Sequence, residues 1–144
     1  MTRIGFYIAE SASQLDRYQI ACRVTYKAWR AGHRVLLHTA ARDEAHHLDR
    51  LLWTVQDTSF IPHGLLGQAD PLYNPILIGD GHLSDPLAEH DVLINLAPTV
   101  PLFFSRFVRL AECVDQAPQV KQDSRERYRF YRDRGYPLQM HHLH

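Results

Sequence analysis

The fold of this chain follows from the stretch RIGFYIAESASQLDRYQIACRVTYKAWRAGHRVLLH, residues 3–38. Arg3–Ile8 is rich in residues that favour strands, and Arg34–His38 has the same character. Between them apolar side chains recur at helical spacing, and we expect a long helix that starts at Ser11 or Ser13. A strand, a helix and a second strand in this order predict a parallel sheet with a crossover helix.

The rest of the chain continues this alternation of strands and helices. The predicted strands are Ile76–Ile78, Val92–Leu96 and Phe107–Val114, and the predicted helical segments are Ala41–Leu52, Pro101–Phe104 and Pro118–Gly135. The segment from Trp53 to Tyr73 contains several prolines and glycines and is predicted to be irregular. We therefore expect a single domain over residues 1–144, with a three-layer α/β/α fold and a mostly parallel central sheet.

Composition is that of an ordinary globular protein, with 45% hydrophobic and 22% charged residues and a formal net charge of zero. No apolar run approaches the ~18–20 residues that span a bilayer, so no membrane partner is expected. Cys22 and Cys113 lie in apolar patterns, and we expect them to be buried and reduced, as in a cytoplasmic protein. Residues 39–100 hold nine acidic and two basic side chains, which argues against a broad DNA-binding surface.

The main candidate for a binding site lies near the carboxy end, in residues 121–136. These sixteen residues hold six basic side chains, three acidic ones and four aromatics. At about 100° per residue, one narrow stripe of a helix would carry Lys121, Arg125, Tyr128 and Arg132, here called the basic stripe. Cations around an aromatic ring suit an acidic peptide, a carboxylate or a phosphate chain. A solvated helix face has the same spacing, and both interpretations stay open.

The sequence lacks the usual motifs for cofactor binding and catalysis. The loop after the first predicted strand has no glycine, and neither GxGxxG nor GxxxxGK[ST] occurs, so no phosphate loop and no nucleotide cofactor are expected. Ten histidines show no metal-ligand spacing, and no metal is expected. The last three, His141, His142 and His144, lie in a tail that we expect to be mobile, although the sequence leaves open whether these histidines are ordered. His63 is the best candidate for an acid or base, but a loop histidine bonded to backbone carbonyls is the simpler interpretation, so no enzymatic function is expected.

A second candidate surface lies in the irregular segment that begins at Trp53. Trp53 and Phe60 are aromatic residues in a proline-containing loop, and such residues are frequent at protein interfaces. If they are exposed, they form a partner-binding surface separate from the basic stripe. The alternative, which the sequence leaves open, is that they close the end of the core beneath the loop.

Several short motifs, taken in their order along the chain, resemble one known family. They are Trp29–Leu36 (WRAGHRVL), Leu48–Trp53 (LDRLLW), Ser59–His63 (SFIPH), Asp91–Leu96 (DVLINL) and Arg125–Tyr128 (RERY) followed by Tyr131-Arg132. Together they are similar to the chi subunit of bacterial DNA polymerase III holoenzyme, over nearly the whole chain. The resemblance implies an α/β fold like that of nucleotide-binding proteins but without the phosphate loop.

The resemblance also implies a function and two partners. It implies an accessory subunit of the clamp-loader assembly, without catalysis of its own, that meets DNA only indirectly. The basic stripe is then the part that grips the acidic C-terminal tail of single-stranded DNA-binding protein. Trp53 and Phe60 match the aromatics that face psi, the small subunit that tethers chi to the clamp loader. Where psi is absent, another protein such as a helicase is the alternative occupant of that surface.

Two other functions compete with this interpretation. The first is direct binding of single-stranded nucleic acid by the same carboxy-terminal helix, with Tyr128 or Tyr131 stacking on bases. The second is a small enzyme built around His63. We rank the adaptor first, because the acidic middle of the chain disfavours phosphate and because His63 lacks a catalytic motif around it.

Overall fold

The computed structural model describes residues 1–54, 61–80 and 91–144. Within these ranges the strands are β1 (Arg3–Ala9), β2 (Val35–His38), β3 (His63–Leu65), β4 (Ile76–Gly79), β5 (Val92–Asn95), β6 (Arg109–Val114) and β7 (Leu138–Leu143). The helices are α1 (Arg17–Arg30), α2 (Arg42–Leu52) and α3 (Pro118–Asp133), with a short 3-10 helix at Phe104–Arg106. All seven strands join one open, parallel sheet in the order β3-β4-β2-β5-β6-β1-β7. The predicted α/β class and parallel sheet are confirmed.

Alternating side chains on the strands build a separate core on each side of the sheet. On one side, here called the α1–α2 face, residues such as Leu37 and Ile94 pack with buried residues of α1 and α2. On the other side, here called the α3 face, their neighbours Leu36 and Leu93 pack with Tyr131 of α3 and with the aromatic segment around the 3-10 helix. These two cores and the sheet between them form the three layers that the sequence predicts.

The predicted start of the first helix at Ser11 or Ser13 is wrong, because α1 begins at Arg17. Asp16 caps it, accepting the Gln19 N–H at 2.8 Å while its own N–H donates to the Gln19 side chain at 2.9 Å. Ser13 instead closes the preceding turn with a hydrogen bond to the Glu10 carbonyl. The reciprocal Asp–Gln pair satisfies two N–H groups together, so it determines the helix start.

The two edge strands, β3 and β7, are the strands that the sequence analysis does not predict. Both consist largely of half-buried and exposed residues, since an edge strand is covered less than a central one. The expected mobile tail is also wrong. Residues 138–143 pair with β1 in parallel, from Ile4 opposite Leu138 to Ala9 opposite Leu143. Three histidines in the tail hid the strand periodicity, although His141 and His142 are ordered by the Tyr7 ring and the Glu10 carboxylate.

Candidate functional site

Helix α3 carries the basic stripe along the α3 face of the sheet. It begins with Pro118, whose fixed φ suits the first turn of a helix. It ends just before Gly135, which has a φ of +77° that a side chain would disfavour. Sixteen continuous helical residues place all four stripe residues on one helix at intervals of four, three and four positions. They therefore lie along one side of α3.

The aromatic member of the stripe, Tyr128, is attached to the core. Its ring meets the buried ring of Phe6 edge to face, with the ring centroids 5.6 Å apart and the planes at 66°. Edge-to-face pairs of this kind are favourable beyond the area that they bury. Tyr128 remains only half-buried, so one part of the ring is held while another part faces solvent.

The three cations of the stripe differ in how far they are already engaged. Lys121 donates to the Gln116 side chain at 3.3 Å, and Arg132 donates twice to the Asp133 carboxylate at 3.1 and 3.0 Å. Both contacts are exposed, and exposed pairs contribute only ~0–1 kcal/mol. Arg125 is exposed, and its side chain has no hydrogen bond or ion pair to the described part of the chain. It is the cation most available to a ligand.

Arg127, one of the six basic residues in the segment 121–136, is buried and not available at the surface. It is 5% exposed, and its Nε donates to Glu112 at 2.9 Å while a terminal nitrogen donates to the Pro98 carbonyl at 2.9 Å. Glu112 is fully buried in β6 and also accepts from the Tyr131 hydroxyl at 2.6 Å and from Asn95 at 3.1 Å. Arg127 therefore belongs to the core, and five of the six basic residues remain for the surface.

Burial raises the pKa of the Glu112 carboxyl, while the Arg127 charge and the hydrogen bonds act against that rise. The sequence alone does not predict this network, although it contains one signal of it. Glu112 lies between Ala111 and Cys113 in an otherwise apolar strand, and a charge inside such a strand requires a partner.

The carboxyl ends of the strands, where open α/β sheets bind nucleotides, are occupied by the chain's own carboxylates. The N–H of Arg17 at the start of α1 donates to the Asp115 carboxylate at 3.0 Å, and its guanidinium donates to Glu44 at 3.2 Å. A phosphate at this helix N-terminus would have to displace Asp115. This arrangement agrees with the absence of a glycine in the loop before α1.

The side chain of His63 is enclosed by neighbouring residues. It is buried, with one ring nitrogen 2.6 Å from the Ile61 carbonyl oxygen and the other 3.1 Å from the Asp49 carbonyl oxygen. The nitrogen near the Asp49 carbonyl also lies 3.3 Å from the Asp49 carboxylate. The two carbonyl contacts agree with the simpler interpretation, a loop histidine bonded to backbone carbonyls. Burial raises the pKa of the Cys22 thiol to about 12, and both cysteines are buried as predicted. No cluster of three or more potential metal ligands occurs in the described ranges.

Trp53 lies at the C-terminal end of α2 and is 52% exposed. Its ring covers His63, with the ring centroids 4.7 Å apart. Ile61, in the same irregular segment, is buried in the core on the α1–α2 face. The alternative that this segment closes the end of the core therefore holds for Ile61, whereas Trp53 is exposed. Phe60, the other residue predicted for this surface, lies outside the described residues.

The fold and the site define a class of protein: a three-layer α/β protein with cationic and aromatic side chains along one side of its last helix. None of the helices in the described ranges combines the length and apolarity that a bilayer crossing requires. The chain belongs to the family described as DNA polymerase III chi subunit, HolC, whose profile matches residues 1–139. The family resemblance is thereby confirmed, and it places the chain among accessory subunits of DNA replication.

Individual relatives support the same family. The chain is 42% identical over 144 residues to the DNA polymerase III subunit chi of Pseudomonas aeruginosa, covering 99% of this chain and 98% of that protein. It is 32% identical over 136 residues to the subunit chi of Haemophilus influenzae, with 92% of each chain covered. For the subunit chi of Escherichia coli the identity is 30% over 142 residues, with 96% of each covered.

Proposed function

We propose that this chain is a non-catalytic accessory subunit that links the clamp-loader assembly to single-stranded DNA-binding protein. The basic stripe binds the acidic C-terminal tail of that protein. The observation that carries this proposal is Arg125, an exposed guanidinium with no partner in the described part of the chain. It lies one helical turn from Tyr128, whose ring is already oriented by Phe6.

The cations of the stripe take the charged part of the tail. Arg125 forms a forked pair with one carboxylate, because a guanidinium matches a carboxylate with two parallel hydrogen bonds. Lys121 and Arg132, one turn away on either side of the Arg125–Tyr128 pair, meet neighbouring carboxylates as the peptide runs along the helix. Arg132 exchanges its weak contact with Asp133 for a contact with the ligand.

An apolar slot beside Tyr128 takes the terminal hydrophobic side chain of the tail. Met140 of β7 lies opposite Phe6 in the β1–β7 pairing and is 43% exposed. Because Phe6 also contacts Tyr128, the Met140 and Tyr128 side chains flank the same buried ring on the α3 face. Methionine adapts to the shape of an aromatic partner, so an aromatic terminal residue fits between α3 and β7.

We expect an affinity in the roughly micromolar range, which corresponds to a binding free energy of about −8 kcal/mol. Each partly exposed ion pair contributes only ~0–1 kcal/mol, whereas one buried aromatic anchor contributes about 2 kcal/mol or more. Several weak pairs around one anchor allow rapid exchange, which suits handover between proteins at a replication fork. Since charges are screened over ~8–10 Å at physiological ionic strength, affinity should fall with added salt.

Arg125→Ala tests this function by calorimetry with an acidic peptide that ends in phenylalanine. We expect about three- to fivefold weaker binding, since a partly exposed ion pair that contributes up to ~1 kcal/mol is lost. The matched control is Arg23→Ala, which removes an exposed arginine of α1 on the opposite side of the sheet. Unchanged affinity for the Arg125 variant, or an equal loss for both variants, would remove the basic stripe from the site.

The second surface is proposed to bind psi, with Trp53 as its described aromatic anchor. Exposed tryptophan is among the residues that most often dominate an interface, and the ring of Trp53 is supported from below by His63. Trp53→Ala in the same calorimetric experiment should leave peptide binding unchanged and weaken psi, while Arg125→Ala should do the reverse. A variant that loses both partners would show that the two surfaces are not separate.

A further inference from the structure

We propose that a groove on the α1–α2 face, between α1 and β7, binds a nucleotide. Arg3, Lys27 and Arg109 hold its phosphate, and the stacked rings of Tyr7 and His141 hold its base. This site is on the opposite side of the sheet from the basic stripe and does not depend on the function proposed above. It departs from the expectation that the chain meets DNA only through its partners.

The groove exists because the sheet extends beyond α1. The flank of α1 around Val24 and Ala28 forms one wall, and Gln139 of β7 lies on the other side, with the strands β6, β1 and β7 as the floor. The cavity measures about 530 Å³, within the range of ~300–1,000 Å³ that small-molecule sites occupy. The floor runs from the amino-terminal ends of these strands to Tyr7 and His141, just past the strand midpoints, and does not include Asp115 at the start of α1.

One end of the groove is cationic and uncompensated. Arg3 and Arg109 are direct neighbours in the β1–β6 pairing, and both line the groove together with Lys27 of α1. Like charges directly opposite each other on neighbouring strands are destabilising. No aspartate or glutamate is among the described residues that line the groove, and none of these three cations has an ion pair to a described residue. A bound anion would relieve the repulsion, and a phosphate offers oxygens to all three cations.

The other end of the groove is flat and aromatic. The rings of Tyr7 and His141 stack with their centroids 4.4 Å apart and their planes within 10°. They lie over Gly5, where an added Cβ would come within 3.2 Å of the Tyr7 ring. Gly5 is two residues from Arg3, or about 7 Å along an extended strand. A phosphate at Arg3 and a planar base against these rings are therefore within the reach of one nucleotide.

This pairing of features favours a nucleotide over an acidic peptide. An acidic peptide would bind the cations but has no planar group that must stack on the two rings. A nucleotide base does, and base–aromatic stacking contributes ~1–3 kcal/mol per base. The nucleotide has two possible sources with the same chemistry: a free nucleoside phosphate, or one unit of a single-stranded DNA. The experiment below distinguishes them.

The test measures binding of two probes, thymidine monophosphate and a fluorescently labelled oligothymidylate, to the full chain. We expect the double variant Arg3→Ala/Arg109→Ala to bind about tenfold more weakly than the unaltered chain. For the oligonucleotide, losing two phosphate contacts should also reduce the slope of log affinity against log salt by about 1.4. Arg23→Ala is the matched control and should bind as the unaltered chain does, whereas Arg125→Ala tests whether the probes bind the basic stripe instead.

Tyr7→Leu tests the role assigned to the rings and should weaken the oligonucleotide severalfold without changing the salt slope. Binding of both probes, or of either one alone, supports the site when it is lost in the double variant, and the probe that binds identifies the source. The proposal is overturned if neither probe binds, if the double variant binds normally, or if the loss follows Arg125→Ala. It is overturned as well if the double variant loses the acidic peptide, because the groove would then be a peptide site.

Discussion

Two arginines of α3, Arg125 and Arg127, lie two residues apart and have opposite environments. Arg125 is exposed and has no partner among the described residues, whereas Arg127 is 5% exposed and donates to Glu112 and to Pro98. The helical period turns the second residue about 200° away from the first. The number of charged residues in a segment therefore does not give the number available at the surface. On one side of this helix the charge of Arg127 is buried in an ion pair with Glu112.

The reason for this difference lies in the sheet beneath the helix. β6 carries Glu112 on the α3 face, and a buried carboxylate without partners is strongly destabilising. Arg127, Tyr131 and Asn95 supply the donors that it needs. On the outward side of α3, Arg125, Arg129 and Arg132 are exposed and do not contact this carboxylate.

The largest effect is expected from Arg127→Ala. Removing one partner of a buried ion pair leaves Glu112 uncompensated and should lower the free energy of unfolding by about 3–5 kcal/mol. Arg129→Ala, which removes an exposed arginine of the same helix, should change it by no more than about 0.5 kcal/mol. Urea denaturation followed by circular dichroism measures both. Equal stabilities for the two variants would contradict the claim that Arg127 stabilises the core more than an exposed arginine of α3 does.

A smaller effect on the same side is expected from Tyr131→Phe. The substitution keeps the ring contacts with Phe6 and Phe104 but removes the hydroxyl that donates to Glu112 at 2.6 Å. We expect a loss of about 1–3 kcal/mol, since a hydrogen bond to a buried charged group disappears.

Tyr136→Phe is the control for that variant, because the Tyr136 hydroxyl has no hydrogen bond to the described part of the chain. It should leave the denaturation midpoint unchanged. If Tyr131→Phe is as stable as this control, the hydroxyl does not support Glu112, and Arg127 must hold the carboxylate with Asn95 alone.

The sequence predicts those features whose signal is local. The central strand β5 is an apolar run, and the structure places it at Val92–Asn95, within one residue of the expected range. The spacing of the basic stripe likewise follows from the helical period alone. The inward orientation of the Arg127 side chain does not follow from the helical period alone. It depends on Glu112, which is fifteen residues away and in another element.

The edge strand β7 is not predictable from its own sequence for a related reason. Its pairing partner, β1, begins at Arg3, so nothing near residues 138–143 in the sequence reveals the strand. Half of its side chains remain accessible, and the alternation of apolar and polar residues is correspondingly weak. This strand matters for both proposed sites, since Met140 is assigned to the proposed slot beside Tyr128 and His141 lines the groove.

The smallest predicted effect concerns the exposed side of α3. Asp133→Asn removes the carboxylate that holds Arg132, so Arg132 becomes available and a charge that repels an acidic ligand is lost. We expect the acidic peptide to bind about two- to threefold more tightly, on the order of 0.5 kcal/mol. Stability should not fall, because an aspartate is unfavourable at the C-terminal end of a helix.

Glu126→Gln is the matched control for Asp133→Asn, since it removes the same charge from an exposed position of α3 outside the stripe. Calorimetry at two salt concentrations compares the variants. A gain confined to Asp133→Asn shows that Arg132 acts through direct contact with the peptide. An equal gain for both variants would mean that net charge on α3 attracts the ligand from a distance, and Arg132 would then lose its place in the site.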